Sequence, residues 1–150
     1  MTQLSEHFSL KEMLFSEIAL RQGFDNTPTQ SAIDNLAHLA VTLLEPARLL
    51  LGVPLHINSG YRSQMINECI GGDAHSAHME GRAADFVPIG VPLLDAFHDL
   101  RVTAALPYDR IIWECQAWIH IAFAPAGQEP KRSAELASGG PGNWHYQAVA

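Results

Sequence analysis

Apolar residues recur at Leu10, Met13, Leu14 and Ile18, three and four positions apart, and the stripe stops at Gly23. That period predicts a helix. Ser9-Leu10-Lys11-Glu12 supplies its start as a capping box, in which the serine hydroxyl and the glutamate carboxylate satisfy free backbone N–H groups. Thr27-Pro28-Thr29-Gln30 is a second start signal, with proline suited to the first helical position. Ile33, Leu36, Ala37, Ala40, Leu43 and Leu44 then line one face of a longer helix, which Pro46 is expected to kink or to divide from the turn Ala47–Leu51. From Pro54 the pattern changes. Leu55-His56-Ile57-Asn58 reads as a short strand closed by Ser59-Gly60, Ser63 to Cys69 as a short helix ending at Gly71-Gly72, and Ala83 to Val87 as a strand. Leu93 to Leu100 is expected to be helical after Pro92. Arg110–Glu114 and Trp118–Phe123 are β-prone runs separated by Cys115-Gln116-Ala117, the signature of a hairpin. Helices followed by a small, mainly antiparallel sheet define an α+β domain, expected over residues 1–124. The stretch 125–150, rich in Gly, Pro, Ser and Ala, is expected to be a loosely ordered tail on which Trp144 and Tyr146 can dock.

Composition narrows the function. A chain of 150 residues has the size of one domain, and its 47% hydrophobic and 17% charged content is that of an ordinary globular protein. The net charge of −7, with scattered basic residues, excludes nucleic acid as the main partner and an electrostatic grip on anionic membranes. No apolar run of about 18 residues is present, so no membrane insertion is expected. Met1 to Leu10 is polar and lacks the pattern of a secretory signal. The expectation is a monomer made in the cytoplasm. Cys69 and Cys115 are either one bridge or two free thiols, the buried free form being the commoner in a chain of this size.

The chemistry concentrates between Gly71 and Phe86. His78 and Asp85 lie seven apart, with Gly81 between them to let the backbone turn, and imidazole nitrogen and carboxylate oxygen both suit zinc. Asp85 is expected at the mouth of the Ala83–Val87 strand, where an unpaired carboxylate would be costly to bury. His120 falls on the strand face that carries Trp118 and Ala122, and on the preceding strand Ile112 and Glu114 share a face, so the hairpin can bring Glu114 and His120 together. Two histidines and one carboxylate leave a fourth position open for water. Each residue also has a plainer reading: a core histidine, a strand-end cap, a surface acid. Trp113 and Trp118 read as packing, and Asp95, His98 and Asp99 as the wet face of a helix.

Ser76-x-His78-x-x-Gly81-x-Ala83-x-Asp85 resembles the S-x-H-x-x-G-x-A-x-D motif of peptidase family M15, the zinc D-Ala-D-Ala carboxypeptidases and related phage endolysins. Ser59-Gly60-Tyr61-Arg62-Ser63 and Trp118-Ile119-His120-Ile121 resemble two further elements of that family, in the same order. Phe8-Ser9-Leu10-Lys11-Glu12-Met13 and Leu44-Glu45-Pro46-Ala47-Arg48 are similar to a subgroup found in phages and bacteria. The resemblance implies one zinc ion held by His78, Asp85 and His120, with Arg62 receiving a substrate carboxylate or carbonyl; Ser76 is expected either to hydrogen-bond near the metal or to the substrate, or to cap the turn. Many members place the base three residues before the last histidine, where Ala117 stands here. Glu114, six before it, matches the spacing of the hedgehog signalling domain, a fold relative, and is assigned the base.

The function so implied is hydrolysis of peptide bonds in peptidoglycan stem peptides, as a carboxypeptidase or an endolysin-type endopeptidase. It would reach the wall by release at lysis or another export route. The alternative is a zinc-stabilised binding or phage structural module of the same fold without turnover.

Overall fold

The computed structural model describes residues 2–150. Two short helices, α1 (Leu10–Leu14) and α2 (Glu17–Gln22), precede α3 (Gln30–Leu39), α4 (Glu45–Leu51) and strand β1 (Leu55–Ser59). Helix α5 (Gln64–Cys69) and a 3₁₀ turn (Ala77–Glu80) lead into β2 (Ala83–Pro88). Helix α6 (Leu93–Val102) then precedes β3 (Arg110–Glu114), β4 (Trp118–Ala122), β5 (Ser133–Gly140) and β6 (Asn143–Ala148). The strands form one sheet in the order β1-β2-β4-β3-β5-β6, antiparallel throughout except for the β3–β5 pair. The expected α+β class, helices first and a mainly antiparallel sheet after, is what the chain forms.

The first helix-start signal acts as read; the second starts α3 two residues later than expected, with Thr29 as the cap and Pro28 before it rather than in the first helical position. Ser9 and Glu12 complete the capping box of α1, and Thr29 caps α3 by accepting from the Ala32 N–H. The stripe from Leu10 to Ile18 is broken, however. The backbone is extended at Phe15 and Ser16, and Ser16 caps a separate α2 that buries none of its residues. Pro46 neither kinks nor splits its helix in the expected way. The turn before it, Ala40–Leu44, widens into a π-helix, with the Glu45 N–H reaching Ala40 O. Proline lacks an N–H and crowds the carbonyl four residues back, and a wider turn accommodates both.

Ile111, Ile119, Ile121, Ala84 and Phe86 point to one side of the sheet and are fully buried against Leu36, Leu39, Leu43 and Leu44 of the helices and against Phe97 and Leu100 of α6. The alternate residues face the other way. Strand pairing therefore puts Asp85, His120 and Ile112 in one row, and Trp118 opposite Glu114 beside it. This half-wet face carries the candidate chemistry.

The expected loose tail is corrected. Residues 133–148 form β5 and β6, extending the sheet by two strands. Asp109 anchors the entry to β5: its carbonyl accepts from the Ser133 N–H at 2.9 Å and its carboxylate from the Lys131 N–H at 2.9 Å. Arg132 lies 4.5 Å over the Tyr108 ring and donates to the carbonyls of Leu106 and Thr103. Small residues in β5 suit close sheet packing as well as they suit a loop, so composition alone misleads here. Both cysteines are free thiols, and Cys69 is exposed rather than buried. Among the described residues no helix is long and apolar enough to cross a membrane.

Candidate metal centre

His78, Asp85 and His120 converge, each offering one ligand atom, with these atoms all within 4.8 Å of one another. Three different elements deliver them. His78 comes from the 3₁₀ turn, which Ser76 caps by accepting from the His78 N–H, and Gly81 closes that turn at φ 74°. A side chain at Gly81 would also strike the Ala32 carbonyl at 2.4 Å, so glycine is required there twice over. Asp85 sits within β2 rather than at its mouth, directly opposite His120 of β4. Asp85 and His78 are 5% and 2% exposed.

The chemistry of the donor set suits a cation. His78 Nδ1 lies 2.7 Å from the carbonyl of Gly60, and only a protonated nitrogen can pair with a carbonyl. Burial, the largest influence on this ring, pushes its pKa below the usual range although Asp85 acts in the opposite sense. Its Nε2 lies 3.2 Å from Asp85 Oδ1 and 3.2 Å from His120 Nδ1. Burial would also raise the Asp85 carboxyl, but the two imidazoles outweigh it and hold the carboxyl far below the ordinary carboxylate range. His120 Nδ1 stands 2.9 Å from the same carboxylate oxygen. Two imidazole nitrogens and a carboxylate oxygen so gathered can share one cation. The separations approach the edge, about 3.3 Å, of a tetrahedron with zinc–ligand bonds of roughly 2.0–2.1 Å. The residues fit a metal ion.

Around this group stand the other candidates. Glu114 lies on the same face and is partly buried. Desolvation first and Asp85 second raise its carboxyl above the ordinary range, with His120, Trp118 and Arg62 pulling the other way. Arg62 donates through a terminal nitrogen to the Ser76 hydroxyl at 3.3 Å, while its Nε is buried without a partner. Pairing of Arg62 with Asp73 or Glu68 does not occur: Asp73 accepts from the His75 N–H and Glu68 from Gln64. A groove of about 540 Å³ leads from Asp85 and Trp118 past Arg62 and Tyr61 to His56, Phe15 and Arg21. His75 is exposed and lies outside the ligand group.

Two features of the site are absent from the sequence reading. The Ser59–Ser63 stretch does more than turn, because the Gly60 carbonyl orients His78, an outer contact of the kind that fixes which ring nitrogen is free for a metal. Trp118 faces the site instead of the core, with its indole on Glu114. The position of Trp118 two residues before His120, on the same strand face, was the available signal.

A helix-backed sheet with two histidines and a carboxylate on its open face defines a single-metal site of the kind that zinc hydrolases use. The family model described as peptidase M15 matches residues 6–122, and the chain belongs to that family of zinc-dependent metallopeptidases. No curated protein matches the chain.

Proposed function

We propose that the protein is a zinc peptidase of peptidoglycan stem peptides, with His78, Asp85 and His120 as the metal ligands. The observation that carries this is the convergence of one ligand atom each from His78, Asp85 and His120, all within 4.8 Å of one another, at a largely buried site. Zinc, when bound, polarises the scissile carbonyl and lowers the pKa of the attacking water towards about 7.

The chain's own groups do the rest. Glu114, whose carboxyl burial raises above its ordinary range, takes the proton from that water and delivers it to the leaving amine. Arg62 holds a substrate carboxylate or carbonyl by forked, charge-assisted contacts that its unpartnered Nε leaves available. Ser76 takes part in substrate binding through Arg62, which it steadies. The groove beside Asp85 receives the peptide chain. Every one of these residues comes from a single copy, so the site needs no second subunit.

The decisive experiment incubates purified muropeptides with the zinc-loaded protein and reads the products by mass spectrometry, beside chelator-treated and Glu114→Gln samples. New fragments that vanish in both controls are expected. Their masses separate release of a terminal D-Ala from opening of an internal bond. Stoichiometric zinc with no fragment from any wall type would instead make the domain a zinc-stabilised binding module.

A further inference from the structure

Glu114 and Trp118 stand directly opposite each other where β3 turns into β4. The indole Nε1 donates to Glu114 Oε2 at 2.6 Å, in the short range of charge-assisted contacts. Among the described residues this is the carboxylate's one hydrogen bond, which leaves Oε1 without a protein partner. Two cations are near enough to feel the same charge, Arg62 and Arg110. A forked guanidinium pair would occupy both oxygens and leave none to accept a proton. Neither forms one. Arg110 is committed to Glu135 at 2.7 and 3.1 Å and lies 4.7 Å over the Tyr146 ring, and Arg62 rests on Ser76.

An indole N–H differs from these cations in two ways that matter to a base. It offers one donor and carries no charge. It can therefore fix one carboxylate oxygen while leaving the other oxygen, and the negative charge, intact. The turn between the two residues supports a selected placement. Cys115 and Gln116 both adopt positive φ, 53° and 60°, and the Ala117 N–H closes the turn on Glu114 O at 3.0 Å. Non-glycine residues there are costly, and a turn one residue longer or shorter would send Glu114 or Trp118 to the opposite face.

We infer that Trp118 is a positioning residue of the site: its Nε1–H holds the Glu114 carboxylate in one orientation, out of reach of the two arginines, with Oε1 free for the proton it must accept. This rests on the peptidase reading above and extends it by one residue.

Trp118→Phe keeps an aromatic ring in the groove wall and deletes the donor. With the zinc-loaded full chain and a muropeptide substrate, kcat should fall about 10- to 100-fold while KM stays within about twofold. Zinc stoichiometry and melting temperature should not move. Added to Glu114→Ala, the same substitution should change residual turnover no further. A second readout needs no Trp118 variant to fold: the Trp118 indole ¹H–¹⁵N resonance should shift upfield in metal-free Glu114→Ala relative to the unsubstituted protein. Undiminished kcat in Trp118→Phe, a loss confined to KM, or an indole resonance indifferent to Glu114→Ala would each overturn the inference. A protein that cuts no muropeptide at all removes the peptidase reading and this inference with it. An active protein with an equally active Trp118→Phe variant removes only the inference.

Discussion

Single atoms decide most of what this site can do. Glu114 shows the conflict between folding and chemistry. Its folded pKa is raised, so whatever stability it contributes is fully present below about pH 4.5 and is lost as pH rises through the folded value. At neutral pH its charge is a cost to the metal-free fold. Glu114→Gln should therefore lower turnover by several orders of magnitude yet leave the metal-free melting temperature unchanged or higher. A calorimetric scan beside the activity assay checks both, and a marked drop in melting temperature would show that the charge stabilises the fold instead. Gly60 is the second such position. A Cβ there would meet the Met13 carbonyl at 2.5 Å and its Cα at 2.9 Å, so the loop must shift and carry its own carbonyl off His78 Nδ1. Gly60→Ala should weaken zinc about 10- to 100-fold, by the usual cost of losing an outer contact, as read by competition with a chelating dye. The convergence of His78, Asp85 and His120 was legible, because they fall in recognisable spacings. The Gly60 carbonyl and the Trp118 indole were not, since their roles depend on which residues meet across 18 positions of chain or across a turn.

Elements were legible where local chemistry alone forms them. The capping serine and glutamate of α1 and the strand-forming runs of β1 to β4 act on neighbours a few residues away. The break at Phe15 and the π-helix before Pro46 were missed, because each settles a competition that periodicity does not show: an extended linker against one more helical turn, and a widened turn against a kink. The β3–β4 turn has a similar hidden tension. Both of its central residues take the left-handed conformation of a type I′ turn, for which Asn-Gly is the favoured pair. Gln116→Gly should remove strain worth about 1 kcal/mol and raise the urea midpoint accordingly. Turnover should be retained, since the register of Glu114 and Trp118 is unchanged. An unchanged or lower midpoint would mean that flexibility added to the unfolded chain outweighs the relief.

At the scale of the whole molecule, the sheet continues past the stretch that the family model matches. Residues 6–122 contain the proposed metal ligands, yet β3 pairs along all five of its residues with β5, beyond that stretch. On the core side Ala134 is buried and Leu136 packs against the core beside Trp113. On the site side Glu135 holds Arg110 at 2.7 Å, and Arg110 in turn lies over Tyr146 of β6. A chain ending at Ala124 would thus expose the edge of β3, with Ile111, Ile112 and Trp113 in sequence along it. It would also release a half-buried guanidinium on the strand face that carries Glu114, within range of its charge. A bare apolar edge invites pairing between copies. Such a truncation should lower the urea midpoint and bring concentration-dependent association, visible by light scattering. It should also cut kcat beyond what the lost stability explains, because the freed Arg110 can then pair with Glu114 and occupy its open oxygen. Restoring kcat by adding Arg110→Gln to the truncated chain would tie the loss to that pairing. A truncated chain as stable and active as the full one would make β5 and β6 an appendage to a domain complete without them.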